Sequence, residues 1–182
     1  MKPTHDRDTR RTTTAALTIQ LTKRDDGGAV LRCVRADGSA TWQRHAGRQA
    51  TFFPLHDLTH YTVESELGFG NAFYGLIAQG WTIEDTGGKG ARGALPAEAI
   101  HVEQLVGALD LERAGMAEWT APSLNEEAAK FAALRGLPAP RPLDDDQLGR
   151  VRSRLLDLFA RWSALMPGET LELPFDQPLF TR

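Results

Sequence analysis

AALTIQLTKRDDGGAVLRCVRADGSATWQRH, residues 15–45, decides the fold class. Leu17, Ile19 and Leu21 alternate with Thr18, Gln20 and Thr22, the period-two pattern of a strand buried on one face. Asp26-Gly27-Gly28 turns the chain, and Ala29 to Arg35 follows as a second strand carrying Val30, Leu31, Cys33 and Val34. Asp37-Gly38 is a hairpin signal, and Ala40 to His45, with Trp42, is a third strand. These residues predict an antiparallel meander. Far along the chain Thr170 to Phe175, TLELPF, alternates again. Left alone it would expose an apolar edge, so it is expected to join the same sheet.

Between the two the hydrophobic period lengthens to about 3.6, which predicts several packed helices and an α+β class. Pro54 suits a first helical turn and Gly68 the position just past the last, bounding a helix over 54–67. Asn71 is expected to cap a short helix running to Gln79, and residues 85–93, DTGGKGARG, read as a loop. A longer helix is predicted from Pro96 to Arg113, burying Ile100, Val102, Leu105, Val106 and Leu109. Ser123 would cap 124–134, and GLPAPRP, 136–142, is a stiff connection. Asp144 to Asp146 favour the dipole at the start of a last helix ending near Leu165. The domain organisation expected is a flexible polar arm over 1–14 and a single α+β domain over 15–182.

The chain has 182 residues, 41% of them hydrophobic and 25% charged, enough apolar content for one core. A net charge of −3 argues against a general nucleic-acid binder, because Arg7, Arg10 and Arg11 are diluted by Asp6 and Asp8. No signal-peptide h-region follows Met1 and no apolar run approaches the ~20 residues of a membrane helix. The expectation is a cytoplasmic protein with a small-molecule substrate and neither nucleic acid nor membrane as partner. Arginine outnumbers lysine, as in proteins of GC-rich bacterial genomes. Cys33 is the single cysteine, so a metal would have to be held by histidine and carboxylate.

The residues for that are in FPLHDLTHYTVESELG, 53–68. At ~100° per residue, with Leu55 at zero, His56, His60 and Glu64 fall at ~100°, ~140° and ~180°, and Asp57 at ~200°. Val63 and Leu67 lie beside the histidines, so the polar stripe borders an apolar face. Histidines at i and i+4 present their rings to a common point. The stretch resembles the zincin H-E-x-x-H motif with Asp57 in place of the glutamate. More loosely it is similar to the HDxxH motif of a ubiquinone-biosynthesis family associated with zinc, although Ala72 stands where that family has a glutamate. The resemblance covers these residues alone. It implies a divalent metal, zinc foremost with manganese or iron as substitutes, on His56 and His60, and Asp57 as a catalytic base.

Glu64 is expected as the third ligand or, since it is ~12 Å along the helix from His56, as an acceptor behind the His60 ring. His101, Glu98, Glu84 or Asp85 are the further residues that would complete the site. His45 is expected to face solvent, and His5 lies in the arm. The function these readings point to is metal-dependent hydrolysis, with zinc polarising a substrate oxygen and Asp57 taking a proton from the bound water. The alternative is a non-enzymatic binding or scaffold protein with a structural metal or none, in which the histidines only line a helix.

Other signals lead elsewhere. GGKGARG, 87–93, lacks the serine or threonine of a phosphate loop, since Gly90 follows Lys89. GFGNAFYG, 68–75, follows no strand, and no serine stands in a nucleophile-elbow context. The four tryptophans are expected as core or rim anchors.

Overall fold

The computed structural model describes residues 15–88 and 90–176. The arm expected over 1–14, with His5, and Lys89 of the glycine-rich segment lie outside them.

Strands β1 (Leu17–Lys23), β2 (Ala29–Arg35), β3 (Ala40–Arg44) and β4 (Thr170–Phe175) form one antiparallel sheet in the order β3-β2-β1-β4. The register sets Ile19 against Cys33 on one side and Leu173 on the other. The period-two pattern therefore places Leu17, Ile19, Leu21, Leu31, Cys33, Leu171, Leu173 and Phe175 on one buried face. The opposite face is polar, with Arg32 donating to Gln20 and Gln20 to Glu172 across three strands. Trp42 lies in the same row and is 66% exposed, whereas Trp162 is in the core. β4 joins the edge of β1 as its alternation requires, although some 150 residues separate them.

The helices are α1 (Phe53–Leu67), α2 (Phe73–Ala78), α3 (Ile83–Thr86), α4 (Ala97–Arg113), α5 (Ala121–Leu134) and α6 (Asp145–Ala164), with a short 3-10 turn at Gly47–Gln49. Two boundaries differ from expectation because the caps differ. Asn71 does not cap α2; its carboxamide accepts from Gln79, and Ala72 begins the helix without a side-chain cap. α5 starts three residues earlier than expected, because Thr120 is its cap and Ser123 is the reciprocal partner in a capping box. The predicted loop over 85–93 begins inside α3, where Thr82 and Asp85 cap each other. α1 ends as expected at Gly68, whose φ of 70° is the left-handed conformation that glycine adopts without strain.

α1 is the central helix. Leu58 and Tyr61 pack under the sheet, while Val63 and Leu67 pack with α4, α5 and α6 in a second apolar cluster. α6 spans both clusters too, with Trp162 and Leu158 in the first and Leu148, Val151 and Leu155 in the second. Among the described residues no helix is long and apolar enough to cross a membrane.

Candidate metal centre

A helix packed on nearly every side buries its polar residues as well as its apolar ones. On α1, Asp57, Thr59, His60, Thr62 and Glu64 are all buried and must find partners. Thr59 and Thr62 donate back to Leu55 and Leu58 carbonyls one turn earlier. The ionisable residues reach other elements.

α4 lies antiparallel beside α1, with His56 next to Asp110 and His60 next to Glu103. His56 Nδ1 is 2.7 Å from Asp110 Oδ2, and its Nε2 is 4.0 Å from Glu103 Oε2. His60 Nε2 is 3.0 Å from the same Glu103 oxygen, and its Nδ1 is 3.5 Å from Glu64 Oε1. His56, His60 and Glu103 thus bring three ligand atoms within 4.8 Å of one another, a group that could hold a metal ion. Tetrahedral zinc with bonds of 2.0–2.1 Å needs neighbouring ligand atoms roughly 3.3 Å apart, between the two observed separations to Glu103.

A carboxylate lies behind each ring, hydrogen-bonded to His56 Nδ1 but only in charge contact, at 3.5 Å, with His60 Nδ1. Asp110, itself held by Arg113 at 3.1 Å, occupies the far nitrogen of His56. Glu64 lies behind His60, and its carboxylate accepts from the backbone N–H groups of Tyr74 (2.9 Å) and Gly75 (3.0 Å) at the start of α2. Phe52 stacks on His56 and Phe73 flanks His60. The group is open on one side: the Glu103 side chain is 57% exposed, against 4% for His60.

Burial disfavours charge on His60, but hydrogen bonds and charge from Glu103 and Glu64 outweigh it and push the imidazole up to about 10. The hydrogen bond with His60 holds Glu103 below the usual carboxylate range despite partial burial. Burial raises Glu64, against the pull of His60 and the two backbone donors. A bound metal would displace the His60 proton and invert this balance.

Of the residues singled out in the sequence, His56 and His60 converge, and Glu64 stands behind His60 instead of beside the Glu103 oxygen. Asp57 is not in the group. Its Oδ2 is 2.6 Å from His45 Nε2, and both side chains are buried. His45 therefore does not face solvent as expected; it lies just past the end of β3, where strand parity no longer applies, and stacks on Phe53. Glu98 accepts from the N–H groups of Gly70 and Asn71, and Asp85 caps α3. Glu84 lines a groove beside Trp42, and His101 faces a crevice with Phe69 and Arg141. None of these four is in the group.

Sequence reasoning passed over Glu103 and Asp110. The signal was present: Ala99, Glu103, Val106 and Asp110 form one stripe of α4, with two carboxylates beside small or apolar residues. Compared with protein-family models, with characterised proteins and with solved structures, the chain matches none.

Proposed function

We propose that the protein binds one divalent metal ion, zinc foremost, through His56, His60 and Glu103, and uses it to activate water for hydrolysis. The observation that carries this reading is the convergence of the two rings and Glu103, with a carboxylate behind each ring. Second-sphere carboxylates fix ring orientation and raise ligand basicity, the support that metal-binding histidines commonly have. Three protein ligands and an exposed carboxylate leave a position for water, as catalytic zinc sites do and closed structural sites do not. Bound zinc lowers the pKa of water to near 7, so the reaction needs no base from Asp57, whose carboxylate is engaged by His45.

Metal analysis of protein purified without chelator tests this. The expected result is about one equivalent of metal per chain, or uptake of that amount on zinc titration, lost in His60→Ala and weakened in Glu103→Gln. The His60–Glu103 contact of 3.0 Å also satisfies the His60 Nε2 atom without an ion, while the buried Nδ1 makes no hydrogen bond. Wild-type protein that neither carries nor takes up zinc, manganese or iron would overturn the proposal in favour of a metal-free scaffold.

A further inference from the structure

On the far side of the molecule's second apolar cluster, an apolar groove of about 330 Å³ runs between α4 and α6. That is more than twice the ~150 Å³ that admits a benzene ring. Buried Leu109 and Leu155, half-buried Phe159 and exposed Leu156 line it. The charged groups on its rim are engaged: Arg152 donates to both Glu112 oxygens at 2.8 Å, and Arg113 donates to Asp110 at 3.1 Å. What the groove offers an occupant is therefore apolar surface, and an apolar side chain suits it.

The face of α6 beside this groove is uncharged where a solvent face ordinarily carries charge. Counted at ~100° per residue from Leu156 at zero, Gly149, Ala160 and Ser153 fall at ~20°, ~40° and ~60°, and all four are exposed. Leu156 itself is 72% exposed. The exposed charges lie to the side away from the groove, Asp157 at ~100° and Arg150 at ~120°.

We propose that a second copy of this chain covers this surface, with α6 packed antiparallel on α6 about a two-fold axis. Such a contact needs one patch that carries both a projection and the recess that receives it. Leu156, standing on the lip of its own groove, supplies the first, and the groove supplies the second. Gly149, Ser153, Leu156 and Ala160 follow the four-three-four spacing of a seam between two packed helices. With Leu156 set against Ser153 of the partner subunit, each Leu156 meets the mouth of the other copy's groove. Phe159 then lies beside Arg152 of the partner subunit. On the opposite flank Arg150 faces Asp157 of the partner subunit, and by symmetry this ion pair forms twice. Within its own chain Asp157 is held only loosely, 3.8 Å from Arg154 and 3.7 Å from Arg161, so its carboxylate keeps acceptor capacity for the pair. No residue of this contact is a proposed metal ligand, and the two readings stand or fall separately.

The test is sedimentation velocity of the full chain from low micromolar to submillimolar concentration. The expected result is a species of twice the chain mass that dissociates on dilution. Leu156→Glu should raise its dissociation constant ~30-fold or more, the loss of a central interface anchor, with an unchanged circular dichroism spectrum because the side chain is exposed. Arg150→Asp sets like charges together in both ion pairs and should weaken the dimer ~3–10-fold, and adding Asp157→Arg should restore it. A chain that is monomeric throughout, or a dimer indifferent to Leu156→Glu, overturns the proposal and leaves the groove to a partner other than this chain. A dimer weakened by Arg150→Asp and not recovered in the double variant overturns the antiparallel pairing.

Discussion

Removing the carboxylate behind His56 should weaken metal binding without touching a ligand. Asp110 Oδ2 is 2.7 Å from His56 Nδ1, its side chain is 8% exposed, and Arg113 holds its other oxygen. With a metal on Nε2, the ring must donate from Nδ1, and a charged acceptor at this distance fixes both tautomer and rotation. Loss of such a partner typically weakens metal binding 10–100-fold, or ~1.4–2.8 kcal/mol. Two features place the variants within that range. His56 is 21% exposed, so in Asp110→Ala water can take over the Nδ1 proton, which caps the loss near ~100-fold. Asp110→Asn keeps an acceptor without the charge and belongs near ~10-fold. Competition against a chromophoric zinc chelator at fixed pH measures both, with circular dichroism confirming the fold. Asp110→Ala with wild-type zinc affinity would refute the reasoning that Asp110 orients a ligand.

In Asp57→Asn, loss of the charged partner of buried His45 should lower unfolding free energy by ~1–3 kcal/mol in urea titration while zinc affinity holds, whereas a fall in zinc affinity with stability intact would contradict the separation of the two pairs. A Cβ at Gly75 would be driven into the Gly70 carbonyl, so Gly75→Ala should displace the start of α2, disturb the N–H groups that hold Glu64, and cost about 1–3 kcal/mol or more; a melting temperature equal to wild type would count against this. His60 titrates at about 10 in the folded chain against an ordinary 6.5, so the stability from its charged form is complete below pH ~6.5 and is lost as pH rises toward 10. Metal-free protein should melt progressively lower from pH 7 to 10, His60→Gln should flatten that slope, and an unchanged slope in the variant would assign it to other groups.

The sheet was legible because a strand buried on one face writes its burial into alternate residues. TLELPF carried that signature strongly enough to be assigned to a sheet formed at the other end of the chain, and it pairs with β1 over its whole length. The caps were less legible. Ser123 and Thr120 are both competent cap residues three apart, and each occurs in the observed capping box in the reciprocal role. Periodicity also misjudged α1. A helix packed under a sheet on one side and against helices on the other has no solvent face for Asp57, His60 and Glu64 to occupy, so its polar stripe reads as a border when it is interior.

The site was half legible for a geometric reason. Two histidines four apart announce themselves on one helix, but their carboxylates are supplied by another helix 43 and 54 residues away, a separation no local pattern reports. Helix spacing explains how the parts then divide their roles. Four residues rise ~6 Å and the seven between Glu103 and Asp110 rise ~10.5 Å, so two antiparallel helices cannot pair these acids one to one with the histidines at the same level. Asp110 overshoots and takes the outer nitrogen of His56. Glu103 is left level with the gap between the rings, facing the inner nitrogens of both at 3.0 and 4.0 Å. That mismatch in rise separates an orienting carboxylate from one free to meet an ion, and shortening it by moving the acid one turn, as in Glu103→Gln with Gly107→Glu, should weaken zinc uptake as far as Glu103→Gln alone does even though the charge of α4 is unchanged; recovery of wild-type uptake would refute the argument from rise.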